Sequence, residues 1–259
     1  MTSSVARNAL VLASSRGLGW ACAKSIAQDK HTVCLNGRDK ERLDSAVRDM
    51  VAEVPEAAVT SCVADIHSQD ERRKLLSTMP TVDVLVLNVG GPTAKDSARY
   101  SPDEWQAEFE TVFLPLADML DQALPAMQAR GWGRVVAISS SAIKQPIPNL
   151  LGSGVFRTGL TSLLASRARE AAKYGVTINS ILPGRIYTDR QKNALAREAQ
   201  KNGVSVDSQL KAVEETIPMR RLGTPAEIGD VCAFLCSEKA AYITGQSLLV
   251  DGGAYRGLF

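Results

Sequence analysis

A regular alternation of short apolar runs with longer amphipathic stretches is the feature that most constrains the fold of this chain. Apolar runs rich in β-branched residues recur at positions 8–13, 32–36, 58–64, 82–88, 134–139, 176–182 and 247–250. Amphipathic stretches with helical periodicity separate them at 17–29, 40–52, 69–77, 103–130, 149–173 and 225–237. Such apolar runs are typical of strands buried on both faces, and helices that connect parallel strands cover both sides of the sheet. The alternation therefore predicts a doubly wound α/β fold, with a parallel sheet between two helical layers.

The same alternation bounds the number of domains. It runs evenly through all 259 residues, so we expect one Rossmann-type domain spanning 1–259. Asp39, Ser101 and Thr224 stand directly before predicted helices and have the side chains that cap helix N-termini. The stretch 185–218 departs from the rhythm, because it is polar, charged and helix-prone and is inserted between two predicted strands.

Composition excludes several classes of function. The chain has 30 Lys and Arg against 28 Asp and Glu, a net charge of +2, and no long run of like charge. We therefore expect neither a nucleic-acid partner nor attachment to a membrane. The 5 cysteines are an odd number in apolar surroundings, and residues 1–7 lack an apolar targeting segment, which favours a reducing, cytoplasmic location. Cys232 and Cys236 would share a helix face, but both histidines are remote in sequence, so we expect no metal site.

The turn after the first predicted strand has the pattern of a phosphate-binding loop. Its glycines, Gly17 and Gly19, allow the backbone to approach a pyrophosphate at the N-terminus of the next helix. A tight turn without a ligand is the alternative reading of this motif alone. Further turns follow the third, fourth and sixth strands, and the carboxyl ends of the strands are where such sheets bind ligands.

The segment from Gly133 through Ser140 to Arg157 resembles the active-site region of the short-chain dehydrogenase/reductase family. In that family a Ser lies 13 residues before a Tyr and 17 before a Lys, and from Ser140 this count reaches Ser153 and Arg157. The turns at 87–91 and 183–188 match family patterns, as does most of 223–253. The chain thus resembles a divergent member, similar to 3-oxoacyl-carrier-protein reductases but lacking the catalytic Tyr and Lys.

The resemblance implies that the turns at the strand ends bind a nicotinamide dinucleotide. In the family, the glycine turn holds the pyrophosphate, an acid after the third strand contacts adenine, and a Pro-Gly-x-Ile-x-Thr turn holds the nicotinamide. The family pattern begins Thr-Gly, where this chain has Leu12 and Ala13. The implied cofactor-binding residues are Ser15, Arg16, Gly17, Leu18, Gly19, Arg38, Asp65, Ile66, Asn88, Gly90, Pro183, Gly184, Ile186 and Thr188.

The end of the second strand bears on the choice between NAD and NADP. Folds that select NAD usually place an acid there for the ribose 2′-hydroxyl, whereas folds that select NADP place a basic side chain. Here Asn36 occupies the acid's position, and Arg38 with Arg16 would fork around a 2′-phosphate. We interpret Asp39 as a helix cap. The sequence therefore predicts NADP(H) as the preferred cofactor, with NAD(H) as the alternative.

Proton transfer is the step that the sequence leaves open. In the family a Tyr moves the proton, the Ser steadies the substrate oxygen, and an Asn on the long central helix completes the set. That Asn falls at Val112 in this chain. Because Ser and Arg side chains do not donate protons readily at neutral pH, we expect Ser140, Ser153 and Arg157 to bind a carbonyl or an anionic group.

Two residues are candidates for a substitute acid or base. Lys144 lies 4 residues after Ser140, in the loop that leads toward the predicted site, and Tyr187 lies inside the Pro-Gly turn. A buried lysine shifts toward neutrality and then exchanges a proton. We therefore rank Lys144 first and Tyr187 second.

The sequence is best interpreted as a divergent NADP-dependent oxidoreductase that acts on a carbonyl/alcohol pair by an atypical proton route. Two alternatives stay open, namely a nucleotide-binding or assembly protein without redox turnover, and a non-redox lyase or isomerase that stabilises an enolate. The resemblance also implies a small-molecule substrate, a substrate lid around 185–218, and a homotetramer built by the last strand and the two long helices.

Overall fold

The strands and helices follow the predicted alternation. The computed structural model describes residues 6–91 and 99–258. The prediction that residues 1–7 lack a targeting segment therefore falls largely outside the described residues. The strands are β1 (Asn8–Val11), β2 (Thr32–Gly37), β3 (Val59–Val63), β4 (Val84–Leu87), β5 (Gly133–Ile138), β6 (Val176–Pro183) and β7 (Ser247–Val250). The α-helices are α1 (Gly17–Gln28), α2 (Lys40–Glu53), α3 (Gln69–Leu76), α4 (Pro102–Glu108), α5 (Leu114–Arg130), α6 (Leu151–Ala171), α7 (Asp189–Asn202), α8 (Val206–Glu215) and α9 (Pro225–Cys236).

The strands of the described residues form one sheet of seven parallel strands in the order β3-β2-β1-β4-β5-β6-β7. The chain winds outward from β1 to β3 and then returns to place β4 on the other side of β1. A crevice opens at the carboxyl ends of the strands where the winding reverses, here between β1 and β4. The predicted Rossmann-type, doubly wound α/β fold is confirmed.

Each face of the sheet is covered by its own hydrophobic core. Along β1 the side chains alternate, with Ala9 and Val11 in the core beneath α1, α2 and α9, and Leu10 in the core beneath α3, α5 and α6. All three side chains are fully buried. Burial on both faces explains why the strands appear in the sequence as continuous apolar runs.

The helices begin where side-chain caps predict. The Asp39 carboxylate accepts a hydrogen bond of 3.1 Å from the backbone N–H of Arg42 at the start of α2. Ser101 and Thr224 each form a capping box, at the starts of α4 and α9. The capping prediction for these three residues is confirmed, and Asp39 is thereby engaged at a helix end.

The helical run expected over 103–130 is present from Pro102 to Arg130, but its helix type changes within that length. A π-helical segment, Phe109–Phe113, separates α4 from α5. Pro115, in the first turn of α5, has no N–H to donate to the carbonyl of Thr111. The Thr111 hydroxyl also donates a 2.7 Å hydrogen bond to the carbonyl of Ala107. Both features weaken the α-helical bonding pattern here, and the wider turn results.

Other expectations concern membranes, metals and the insertion. No helix in the described part of the chain is long and apolar enough to cross a membrane. No group of three or more His, Cys, Asp and Glu residues that would hold a metal ion occurs in residues 6–91 and 99–258. All five cysteines are buried and unbridged. The insertion at 185–218 contains α7 and α8.

The turn after β1 is strained at one position. Ala13, which stands where the resembling family has Gly, adopts a left-handed φ of +46°. In this region the Cβ of an L-residue crowds the following carbonyl oxygen, whereas Gly has no Cβ to crowd.

We predict that Ala13→Gly stabilises the fold. Relief of about 1–2 kcal/mol of left-handed strain exceeds the roughly 0.4–1 kcal/mol that the extra unfolded-state entropy of Gly costs, so the gain is about 1 kcal/mol. Urea unfolding measures the change. The control is Ala196→Gly, at an exposed position within α7, where the same substitution should cost about 1 kcal/mol. An unfolding midpoint for Ala13→Gly at or below that of the wild type would contradict the prediction.

Candidate active site

The turn between β1 and α1 leaves open space where a pyrophosphate binds in such folds. A Cβ built on Gly17, or on Gly90 beyond the end of β4, would touch nothing within 4 Å. A Cβ on Gly19 would instead lie 2.5 Å from the carbonyl oxygen of Ala13 and 2.7 Å from Nδ2 of Asn88. Gly17 and Gly90 therefore border an open cradle, and Gly19 allows α1 to pack tightly on the turn. This arrangement fits a dinucleotide pyrophosphate at the N-terminus of α1.

Two side-chain amides hold the turn after β1 against the ends of the neighbouring strands. Asn88 donates from Nδ2 to the carbonyl oxygens of Leu12 and Ala13, at 3.2 and 3.1 Å. Asn36, only 1% exposed, accepts from the backbone N–H of Ala13 at 3.1 Å and donates to the carbonyl of Ala64 at 3.0 Å. The amide group of Asn88 thus holds the turn in place, and Asn36 is a buried connection between β1, β2 and β3.

Charged side chains surround the ends of β2 and β3. Arg16 and Arg38 are both exposed. The Asp65 carboxylate accepts hydrogen bonds from the backbone N–H of His67 at 3.0 Å and from its imidazole at 2.7 Å. Burial acts to raise the pKa of Asp65, but these hydrogen bonds and the positive charge of Arg38 hold that pKa below its ordinary value. Arg38 therefore lies within electrostatic reach of Asp65.

Three other predicted cofactor residues are packed against their neighbours. A Cβ on Gly37 would lie 3.3 Å from the Cβ of Ser15. Leu18 packs against the core beneath α1. Ile66 is 5% exposed, and its carbonyl accepts a 2.7 Å hydrogen bond from Arg72. The side chains of Leu18 and Ile66 thus pack against the protein interior.

The Pro-Gly turn lies at the end of β6. Pro183 is the last residue of the strand, and a Cβ on Gly184 would come within 2.6 Å of the Asp251 side chain. Ile186 is 6% exposed and belongs to the core on the α1 side. Thr188 caps α7 with its hydroxyl. The turn is therefore held by close packing on one side and by a helix N-terminus on the other.

Ser153 and Arg157 form a pair that reaches the end of β5, and Ser140 follows that strand by two residues. Arg157 donates from Nε to the Ser153 hydroxyl at 3.2 Å and from Nη1 to the carbonyl of Ile138, the last residue of β5, at 2.8 Å. Ser153 and Arg157 are 7% and 6% exposed. The Ser140 hydroxyl accepts a 3.1 Å hydrogen bond from the backbone N–H of Ala142. The i, i+4 spacing on α6 thus forms a buried polar pair anchored to the sheet.

The electrostatic surroundings keep Arg157 a cation. Burial lowers its pKa to about 10, helped by the positive charge of Arg190 and opposed by the negative charge of Glu108. A guanidinium with this pKa remains protonated at neutral pH. Arg157 is therefore a fixed positive charge, in agreement with the interpretation that it does not donate the proton.

The two sequence candidates for a substitute acid lie apart from this cluster. Lys144 is half-buried just after the turn that Ser140 caps, and no side-chain hydrogen bond or ion pair of Lys144 is found within the described ranges. Tyr187 is 46% exposed, has the Lys192 ammonium 5.1 Å from its ring centre, and lines a groove of about 440 Å³ between α1 and α9. No described contact connects either side chain to Ser153 or Arg157.

Two charged residues near Arg157 are absent from the sequence prediction. The Glu108 side chain, at the end of α4, packs against Gly152 so closely that a Cβ there would lie 2.9 Å from the carboxyl carbon. The guanidinium of Arg190 lies against Gly91, where a Cβ would collide with it. No motif position in the sequence points to either residue, and only the packing of α4 and α7 brings them within electrostatic reach of Arg157.

The family model described as enoyl-(acyl carrier protein) reductase matches residues 12–255. A Bos taurus protein, dehydrogenase/reductase SDR family member 4, is 31% identical over 251 residues, which cover 95% of this chain and 86% of that protein. The chain belongs to the short-chain dehydrogenase/reductase family. Membership confirms the expected enzyme class, an oxidoreductase of short-chain dehydrogenase type.

Two solved structures of this family are similar to the chain. The NADPH-dependent reductase YwfH, involved in bacilysin biosynthesis, superposes with a TM-score of 0.92 at 28% identity, covering 98% of this chain and 100% of that one. An NADPH-bound short-chain oxidoreductase of Pseudomonas aeruginosa PAO1, described as containing an atypical catalytic centre, has a TM-score of 0.86 at 27% identity, with 97% of each chain covered. Both neighbours use NADPH, in agreement with the predicted cofactor.

We predict that Glu108→Gln stabilises the protein at neutral pH. Burial raises the pKa of Glu108, more than the attraction of Arg157 lowers it. A carboxyl whose pKa is raised on folding destabilises the folded state above its unfolded pKa, since ionisation is harder in the folded protein. The variant should therefore unfold at a higher temperature than the wild type at pH 7, and the difference should disappear below the ordinary pKa of Glu.

The matched control is Glu110→Gln. Glu110 is exposed two residues further along the chain, so its replacement should leave the pH dependence of thermal unfolding unchanged. A wild type that is more stable than Glu108→Gln at pH 7 would show that attraction to Arg157 outweighs burial.

Proposed function

We propose that this chain is an NADPH-dependent oxidoreductase that reduces a carbonyl group, or oxidises the corresponding alcohol, by an atypical proton route. The observation that carries the proposal is the buried Ser153–Arg157 pair, which is hydrogen-bonded to the end of β5 at the same edge of the sheet as the glycine cradle. The similar Pseudomonas aeruginosa enzyme with an atypical catalytic centre supports it.

The nucleotide would lie across the carboxyl ends of β1, β4 and β6. The N-terminus of α1 would receive its pyrophosphate between Gly17 and Gly90, and Arg16 with Arg38 would bind the 2′-phosphate. Asp39 is engaged at the start of α2 and so leaves this position without a competing acid. Bound NADPH would supply the hydride.

Two hydroxyl groups would orient the substrate carbonyl. Ser140 accepts a hydrogen bond from a backbone N–H, and Ser153 accepts one from Arg157. Neither hydroxyl donates to another group in the described part of the chain, so both protons can point to a carbonyl oxygen. Arg157 adds a fixed positive charge that stabilises a developing oxyanion.

The insertion with α7 and α8 supports a lid. Its helices enclose a small core of their own, made of Leu195, Val213, Ile217 and Leu222. A separately packed unit that follows directly from the Pro-Gly turn is suited to move over a bound substrate.

An absorbance assay separates this proposal from a nucleotide-binding protein without turnover. Purified protein is mixed with NADPH and a panel of ketones, aldehydes and oxo acids, and the reduced-nicotinamide band is followed beside a nucleotide titration. Turnover of any carbonyl compound supports the reductase. Tight NADPH binding with no turnover across the panel would favour the binding protein.

We predict that NADPH binds more tightly than NADH and that Arg38→Ala removes most of the difference. Loss of a charged hydrogen bond to phosphate costs about 1.5–3 kcal/mol, or roughly one to two decades in affinity. The control is Arg42→Ala, since Arg42 is an exposed arginine one turn into α2. Fluorescence titrations of both variants measure the change, and equal affinity of the wild type for the two nucleotides would refute the prediction.

We propose that the chain assembles as a homotetramer through its exposed apolar faces. Leu151 and Val155 on α6 are 42% and 46% exposed. On the edge strand β7, Leu248 is 43% exposed, and Phe234 on α9 is 41% exposed. A tetramer with two-fold axes needs two different self-complementary interfaces on each subunit, and two separate exposed apolar surfaces can supply them.

We predict that sedimentation gives a mass near four times the chain mass of 27.8 kDa. Leu248→Glu places a charge on the β7 surface and should reduce the assembly to a dimer, because the α6 contact is untouched. The fold, checked by circular dichroism, should be retained. A wild-type mass near 27.8 kDa would exclude the tetramer.

A further inference from the structure

We propose that Glu108 is the acid that protonates the substrate oxygen, in place of the tyrosine of related enzymes. The inference rests on the proposed carbonyl reduction and names the group that carries its proton. It is argued from where the carboxyl lies, what surrounds it, and what it lacks.

The first step concerns the register of two helices. α4 follows β4 and α6 follows β5, and since β4 and β5 are parallel neighbours, the two helices run in the same direction along the sheet. The register comes from two contacts: a Cβ on Gly152 would lie 2.9 Å from the carboxyl carbon of Glu108, and a Cβ on Gly159 would lie 3.7 Å from the Phe113 ring. Glu108 is therefore level with Gly152 and its neighbour Ser153. Glu108 thus faces the turn of α6 where related enzymes have their tyrosine.

Aromatic packing holds the two helices at this distance. The Phe156 ring of α6 lies 6.0 Å from the ring of Trp105 on α4 and 5.9 Å from that of Phe109. Tyr100 stacks on Trp105 with a centroid distance of 4.5 Å. Because these rings are rigid and interlocked, the position of Glu108 relative to α6 is fixed before any substrate binds.

The second step concerns the carboxyl group itself. Its Oε2 atom is buried and has no hydrogen-bond partner among the described residues. Buried polar atoms are nearly always paired, so one without a partner needs an explanation. Rotation of the carboxyl group exchanges its two oxygens, so a proton held on buried Oε2 is brought to the accessible side of this half-buried side chain, where a substrate oxygen can accept it.

The third step concerns the charges that face Glu108. Arg157 faces it from α6, and the Tyr100 hydroxyl from the segment before α4, where it also accepts a 3.3 Å hydrogen bond from the backbone N–H of Gly152. On α4 itself, Glu104 is engaged in the capping box. Burial raises the pKa of Glu108, and Arg157 opposes this only in part. The protonated form is therefore populated at higher pH than for an exposed glutamate.

The reaction balances with groups that the proposal names. The carbonyl carbon gains the hydride, the π-bond electrons move to the oxygen, and that oxygen takes the proton of the Glu108 carboxyl. With the two electrons that bound NADPH would supply, the carbonyl would become an alcohol, and Glu108 would remain as a carboxylate. Within the Glu108 side chain, Oε2 is the buried atom without a partner. Because the residue as a whole is only half-buried, water can reach the rest of the side chain and return the proton to the carboxylate.

The test compares Glu108→Gln with Glu110→Gln in the full chain. We expect Glu108→Gln to lower kcat for a ketone by at least about 100-fold, while the NADPH dissociation constant stays within about twofold of wild type. The wild-type kcat should fall as pH rises through the pKa of Glu108, because the carboxyl then loses the proton it has to donate. Glu110→Gln should resemble the wild type in both measurements.

Chemical rescue distinguishes an acid from a structural support. Glu108→Ala should regain part of its kcat when formate is added, since a small carboxylic acid can occupy the vacant space. In a separate measurement without turnover, carboxyl-labelled glutamate followed by NMR should show one signal that titrates above the ordinary range and is absent in Glu108→Gln.

Several outcomes would overturn the inference. If Glu108→Gln keeps the wild-type kcat while Tyr100→Phe or Lys144→Met loses it, the acid is one of those residues. A loss of kcat in Glu108→Ala that formate never relieves, together with weakened NADPH binding, would assign Glu108 a structural role. A wild type that turns over no carbonyl compound would instead remove the proposed function on which the inference rests.

Discussion

Backbone N–H and C=O groups just beyond the carboxyl ends of parallel strands have few backbone partners in the neighbouring strands. Side chains therefore have to complete their hydrogen bonds. Asn36 and Asn88 do so for Ala13 and Leu12 in the turn after β1, and Arg157 does so for Ile138 at the end of β5. Ser14 donates to the carbonyl of Val11 at 2.7 Å. Each such bond, if lost, would leave a buried group unpaired at a cost of about 1–3 kcal/mol. The contacts that hold the strand ends together therefore also determine the shape of the proposed nucleotide-binding surface.

The buried charges at this edge are less well accommodated than its amides. Arg157 is almost wholly buried, and the described charges that act on it are a second arginine, Arg190, and the acid Glu108. The pKa values of both Arg157 and Glu108 shift toward the neutral forms, which means that folding works against both charges. Natural proteins keep such arrangements where activity needs them, at the expense of stability.

Much of the architecture could be predicted from the sequence because its causes are local. Apolar runs alternate with helical stretches along the chain, and a capping side chain such as that of Asp39 acts on the three residues that follow it. The π-helical segment between α4 and α5 was harder to predict, since Pro115 and the Thr111 hydroxyl act together over several residues.

The site was predictable only where a residue occupies a motif position. Ser153 and Arg157 meet as their spacing on one helix indicates. Glu108 and Arg190 approach Arg157 from two other elements, and only the packing of those elements brings them there. Lys144 is the opposite case. It is close to Ser140 in the sequence, but no described contact joins its side chain to Ser153 or Arg157.

The π-helical segment Phe109–Phe113 sets the rotational phase between α4 and α5. Each α-helical residue turns the chain by about 100°, so tightening this segment by one residue would rotate α4 by that angle while α5 stayed anchored in the core. Glu108 would then turn away from α6. The length of a five-residue segment thus determines the direction in which the carboxyl points, and a single-residue deletion there would redirect it without altering any side chain of the site.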